Sequence, residues 1–213
     1  MFDALWENLL SQFNIEPPLH MKEFGQHGRL GYLKYDERYK LFDQVAKIIN
    51  YCKIHSVAFV LDQNKFTKIM DPRIIKVMGV YGICFMGCAH LVFLSARDSQ
   101  YHKDIAFILE QGNEHTSHIF YAHKEMARIQ KHKEMQIYIG SLTFEPKQIS
   151  ALQAADVIAW GARRRTIGDP IGKGFQPISQ IINQNHVQDF MREEWLQKLN
   201  DVILKSPKND SES

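Results

Sequence analysis

Apolar positions along this chain follow two spacings, and the alternation between them predicts helices and strands in turn. Phe2, Leu5, Trp6, Leu9 and Phe13 recur every three or four residues, so residues 2–13 read as an amphipathic helix. Pro17-Pro18 ends it. A glycine-bearing connector covers residues 20–33, and Leu41, Val45, Ile48 and Ile49 mark a second amphipathic helix over residues 36–52. Two short runs are continuously apolar: residues 57–61, closed by Asp62, and residues 105–109, closed by Glu110 and then Gly112. Such runs suit strands covered by helices on both faces. Asp71-Pro72 reads as a helix cap followed by proline at the first helical position, opening a long apolar helix.

Further along, the pattern predicts a helix over residues 114–131 and a strand within residues 136–144. The last clear helix starts near Ser150, with Gln153 as the partner in a capping box, and ends in the cluster Arg163, Arg164 and Arg165. Beyond residue 166 the pattern is less regular, although Trp195 and Leu196 suggest one more short helix. Strands alternating with helices predict an α/β fold. The length of 213 residues favours one domain, taken as residues 1–205 with a disordered tail from Ser206. Two segments are locally alike, VAFVLDQN at 57–64 and IAFILEQG at 105–112. Strand-plus-turn chemistry recurs too readily for that likeness to establish a repeat.

Composition narrows the function classes. Apolar residues make up 45% and charged residues 23%, an ordinary balance for a globular protein. A net charge of +2 creates no whole-molecule field for nucleic acid, so any basic patch is local. Three cysteines are too few for a disulfide scaffold, and Asp3 and Glu7 in the N-terminal stretch are foreign to a secretory signal. The expectation is a reduced, cytoplasmic protein. Residues 77–96 challenge it, because they carry no formal charge for 20 residues, about the length that crosses a bilayer. Gly79, Gly82, Gly87 and His90 within the run, and the lack of a second such run, favour a buried central helix; no membrane contact is expected.

Candidate chemistry centres on carboxylates. Asp156 is the only ionisable residue between Ala151 and Ala162, in a helix apolar on nearly every side. A carboxylate there must be paired, hydrogen-bonded, protonated or on a metal. Arg163, Arg164 or a backbone amide would hold it in a purely structural role. Glu110 stands where an apolar strand runs out into a turn, and ligands of open α/β sheets gather outside the carboxyl ends of strands. Asp62 ends the other apolar run in the same way, although acids also favour turns for their own sake. Carboxylates converging from two strand ends and a helix would make an all-oxygen site suited to Mg²⁺ or Mn²⁺.

The residues also carry a likeness. SLTFEPKQISALQAADVIAWGARR, residues 141–164, resembles the C-terminal signature of the domain of unknown function 3800 family, with its Leu-Gln-x-Ala-Asp core at Leu152, Gln153, Ala154, Ala155 and Asp156. PLHMKEF, residues 18–24, is similar to that family's His-Met-x-Glu motif, and FILEQG, residues 107–112, to its strand ending in Glu and Gly. The resemblance implies a ribonuclease-H-like mixed sheet flanked by helices. It further implies an acidic, metal-binding site, and with it a divalent-metal-dependent nuclease or phosphodiester hydrolase, with Glu110 and Asp156 as catalytic metal ligands and Mg²⁺ or Mn²⁺ as cofactor; by position alone Asp62 or Glu114 would be helpers. His20 and Glu23, which carry the family motif, would either line the cleft toward the substrate or stabilise a turn. Family members open on a strand bearing Asp-Glu-Ser-Gly, and no such motif occurs here. The expectation is therefore an N-terminally truncated version of that fold. Either the gene is truncated, the start codon is misassigned, or the first sheet comes from another polypeptide or from exchange within a homo-oligomer; failing these, the chain would be an inactive remnant or interaction module.

Other constellations are weaker. Arg163, Arg164 and Arg165 suit nucleic-acid phosphates, but cations at a helix C-terminus equally favour the helix dipole. Glu114, His115, His118 and His123 invite a zinc reading without any established ligand spacing. Cys84 and Cys88 share a helix face, where free thiols commonly pack as small apolar groups.

Overall fold

The structure, a computed structural model, describes residues 1–101, 103–112, 114–133, 139–184, 186–190 and 192–205. The chain is an α/β protein. In order, its elements are α1 (Phe2–Gln12), α2 (Tyr35–Tyr51), β1 (Ser56–Val60), α3 (Gln63–Ile69), α4 (Pro72–Asp98), β2 (Ile105–Glu110), α5 (Thr116–Lys133), β3 (Ile139–Glu145), α6 (Ser150–Thr166), α7 (Gln176–Gln184), β4 (His186–Phe190) and α8 (Glu193–Lys205). Short 3-10 helices occupy Met21–Phe24 and Lys173–Phe175. Among the described residues the strands pair as β1 with β4 and β2 with β3. The β2–β3 pair is parallel, since Gly140 lies against Ile105 at one end and the Gln111 amide donates to the Glu145 carbonyl at the other. The tail expected to be disordered from Ser206, and the first residues of the strand expected within 136–144, lie outside the described residues.

By its contacts the chain divides into two compact units: Met1–Ala58 with Leu109–Gln111 and Phe144–Gln188, and Phe59–Ile108 with Gly112–Thr143 and Asp189–Ser213. In the first, α1, α2, α6 and α7 enclose a core in which Trp6, Phe42, Leu41, Ile49 and Val157 are completely buried. Removing each such side chain from water contributes roughly 1.5–3 kcal/mol. Phe24, Phe42 and Phe175 meet with ring centroids 5.1 to 5.7 Å apart. The Arg38 guanidinium lies 5.6 Å from the Phe24 and Phe175 centroids while donating to the carbonyls of Leu33 and Gly31. One side chain thus closes an aromatic corner and satisfies the connector's backbone.

In the second unit α4 packs along α5, and α3 along α8. Asp71 caps α4 as the sequence predicts, its carboxylate accepting from the Arg73 amide ahead of Pro72 at the first helical turn. Bonds to the Arg73 guanidinium and amide pull that carboxyl down to about 2. The helix is not continuous: Gly79 takes φ 54° and ψ −170°, and the backbone kinks there. Positive φ combined with extended ψ is open to glycine almost alone. Among the described residues α4 is the one helix long and apolar enough to cross a membrane, and half of its most apolar stretch is buried inside the fold.

Three sequence expectations change. β2 is not covered on both faces, because Ala106 and Glu110 are exposed and Ile108 is 53% exposed, so alternate residues face outward. The two similar segments diverge after their acids: α3 starts directly behind Asp62, whereas Gly112 turns the chain with φ 84° behind Glu110. Residues 166–205, expected to be irregular apart from one helix, contain α7 and β4 as well as α8.

Candidate functional site

α6 begins with Ile149 at its cap position and no side-chain cap, so the expected box between Ser150 and Gln153 does not form. The reason is that Gln153 points inward. Its side chain is 1% exposed, and its carbonyl oxygen accepts from the Trp6 indole at 3.1 Å and from the Leu19 amide at 2.7 Å. Its NH₂ group donates to the Gln148 carbonyl at 2.8 Å. A buried amide is tolerated only when its donors and acceptors are engaged, and here three bonds engage it.

One turn on, Asp156 meets the same segment. Its Oδ2 accepts from the Met21 amide at 2.8 Å and lies 2.5 Å from Nδ1 of His20. The sequence leaves an arginine or a backbone amide as structural partners; the amide is there, and the side-chain partner is the imidazole of His20 rather than Arg163 or Arg164. Nor is Asp156 deep in the core. Ala151, Ala155 and Ala159 face solvent, and the Asp156 and His20 side chains are 29% and 18% exposed. Alanine is apolar enough to make a helix read as buried, yet small enough to sit at a surface without consequence. The desolvation that makes Asp156 conspicuous in sequence is therefore only partial.

The His20 segment is fixed from its other side too. Arg29 donates to the carbonyls of Glu16 and Pro18, and its own amide donates to the Glu23 carboxylate at 3.0 Å. Glu23 is thus committed to a turn, and its carbonyl accepts from the Leu30 amide at 2.8 Å. Gly28 permits this closure, since a Cβ there would fall 2.3 Å from the Glu23 carbonyl oxygen. Leu19, His20 and Met21 are consequently held between α6 and a tight loop.

The other expected site residues have their own partners. Glu110 pairs with Lys147 at 2.8 Å and is 46% exposed on its side chain. Asp62 is exposed and caps α3, its Oδ1 accepting from the amides of Asn64 and Lys65. Arg163 is exposed; Arg164 lies 4.7 Å over the Trp160 ring and 3.9 Å from Asp169. His115 stacks on Tyr81 with centroids 4.0 Å apart, the His118 ring fills the space beside Gly79, and His123 pairs with the Gly140 carbonyl. Among the described residues no three His, Cys, Asp or Glu side chains gather around a point where they would hold a metal ion. Burial pushes the Cys84 thiol up to about 12, with Cys88 adding to the rise, and burial raises Cys88 as well.

Sequence reasoning missed Gln153, Arg29 and Lys147. A signal for the first was available: Gln153 and Asp156 stand three apart, so both reach from one side of α6. Their partners lie more than 130 residues away and have no local signature.

Carboxylate oxygens are the donors a hard divalent cation takes, but Asp156 is engaged by Met21 and His20 and Glu110 by Lys147, and neither belongs to a group of three such side chains among the described residues. Compared with family models, with curated proteins and with solved structures, the chain matches none.

Proposed function

We propose that this chain is a ribonuclease-H-like member of the domain of unknown function 3800 family, and that it cleaves phosphodiesters at a site centred on Asp156. The observation that supports the reading is the contact between the two resembling segments. Residues 18–24 and 141–164 are far apart in the chain, and Gln153 and Asp156 tie one to the other. Asp156 and Glu110 would hold Mg²⁺ or Mn²⁺, which supplies charge stabilisation for the attacking and leaving oxygens. The protein's own part is to fix Asp156 through Met21 and His20. Arg163, exposed at the end of α6, would meet substrate phosphates.

The test is cleavage of labelled RNA, DNA and hybrid duplexes in Mg²⁺ or Mn²⁺. Loss of cleavage in Asp156→Ala and Glu110→Ala, with the fold intact by circular dichroism, is the expected result. Cleavage that survives both substitutions overturns the assignment.

A second reading is a non-catalytic interaction module. It is favoured by the fact that Asp156, Glu110 and Asp62 each already serve a protein partner. It predicts that thermal melts with and without Mn²⁺ coincide, whereas a ligand bound only by the folded state raises the midpoint.

A further inference from the structure

We infer that His20, held by Asp156, is a general base for metal-independent cleavage of RNA through the RNA's own 2′-hydroxyl groups. This role rests on the phosphodiester reading for its substrate and does not depend on that reading's cation.

The orientation of the imidazole carries it. Oδ2 of Asp156 accepts from the Met21 amide at 2.8 Å, so it presents electron pairs to its neighbours. His20 Nδ1, 2.5 Å from the same oxygen, is then the donor of the second bond, because two lone pairs at that distance would repel. With the ring proton on Nδ1, the neutral imidazole has its lone pair on Nε2, across the ring from the carboxylate. Among the described residues Nε2 accepts from no protein group, and the side chain is open to solvent at 18% exposure. A carboxylate that fixes the proton at Nδ1 and leaves Nε2 open is the arrangement by which an imidazole takes a proton from a bound hydroxyl.

The ring is also held in place. Leu19 is tied to Gln153 on one side of His20 and Met21 to Asp156 on the other, so the backbone that carries the imidazole is fixed from both flanks. Ala155 and Ala159, beside Asp156 on α6, are exposed and too small to shield it. Arg163 is exposed about two turns beyond Asp156, where it offers a charge to a further phosphate of the strand. An imidazole working alone favours RNA over DNA, because the 2′-hydroxyl sits on the same sugar as the phosphate ester and attacks as an intramolecular nucleophile. Its proton passes to Nε2, the bond from the 2′-oxygen to phosphorus forms, and the bond from phosphorus to the 5′-oxygen breaks. Water protonates the leaving 5′-oxygen, and the hydroxide so formed recovers the proton from Nε2. The new ends are a 2′,3′-cyclic phosphate and a 5′-hydroxyl, with no change of oxidation state.

The test incubates the protein with end-labelled single-stranded RNA, and with DNA of the same sequence, in EDTA and in Mg²⁺. Two variants accompany it: His20→Asn, which keeps an N–H donor for Asp156 and removes Nε2, and His20→Ala. The expected result is RNA cut in EDTA to cyclic-phosphate ends, DNA left intact in EDTA, and cleavage slowed about 100-fold or more in both variants. Added imidazole should restore part of the rate in His20→Ala. Slowing that imidazole leaves untouched marks a merely structural role and overturns the inference. Cleavage in EDTA that both variants retain overturns it too, since another base, or a contaminating ribonuclease, then does the work. Cleavage found only with Mg²⁺ overturns it and leaves the phosphodiester reading standing. No cleavage in either condition removes both. Where His20→Ala does not fold by circular dichroism, His20→Asn decides, because its amide still donates to Asp156.

Discussion

Gln153 and Asp156 stand one turn apart on α6 and hold the backbone amides of Leu19 and Met21 at 2.7 and 2.8 Å. The two side chains do the same kind of work in different surroundings. Gln153 is sealed in the core, where an unmade bond has no water to replace it, while Asp156 sits at the boundary.

That difference sets the order of two substitutions. Gln153→Leu keeps the volume but strands the Trp6 indole and the Leu19 amide, and should cost about 3 kcal/mol. Asp156→Asn keeps an acceptor for Met21 and should cost about 1 kcal/mol, mostly through the weakened bond to His20. Urea unfolding of both variants checks the ranking. A larger loss for Asp156→Asn would mean that the carboxylate, not the amide, secures the segment.

Gly79 offers a test in the second unit. Its φ of 54° excludes a side chain on conformational grounds, and a Cβ would also fall 2.7 Å from Nδ1 of His118. Gly79→Ala should cost ~3 kcal/mol from strain and crowding together. Adding His118→Ala should recover only the crowding part, and complete recovery in the double variant would show that the kink carries no strain.

The thiols on α4 predict both reactivity and pH dependence. With Cys84 pushed up to about 12, its thiol stays protonated at pH 8, and alkylation by iodoacetamide should be slow until the protein unfolds. The sign for stability follows from the raised value. Below the ordinary thiol value of 9.0 the group is neutral in both states. Between 9.0 and about 12 the unfolded thiol ionises while the folded one does not, so stability falls as pH rises through that window. Mass spectrometry of labelled native protein and melts from pH 8 to 11 measure the two effects. Rapid native labelling of Cys84 would contradict the raised thiol.

Much of the local structure was legible because it is written in neighbours. The spacing of Phe2, Leu5, Trp6 and Leu9 predicts α1, and Asp71-Pro72 predicts the start of α4, since caps and amphipathic stripes act within one or two turns. Even local reasoning fails where a side chain has a better partner far away. Ser150 and Gln153 have capping-box spacing, but the core offers Gln153 three bonds and the helix end loses it. α3 and α7 are only 7 and 9 residues long, too short for their periodicity to stand out from the surrounding turns.

For the candidate site the division is sharper. By itself the sequence determined that Asp156 is a carboxylate among apolar and small residues and needs an explanation, and that the class is α/β. Only the tertiary structure decided what holds it. The loop closed by Arg29 and Glu23 presents Met21 and His20 to α6, which lies more than 130 residues further along the chain. Hydrogen bonds of that reach are fixed by how α6 is rotated against its neighbours. The spacing of residues along a chain carries no record of which distant donor that rotation will bring to a given oxygen.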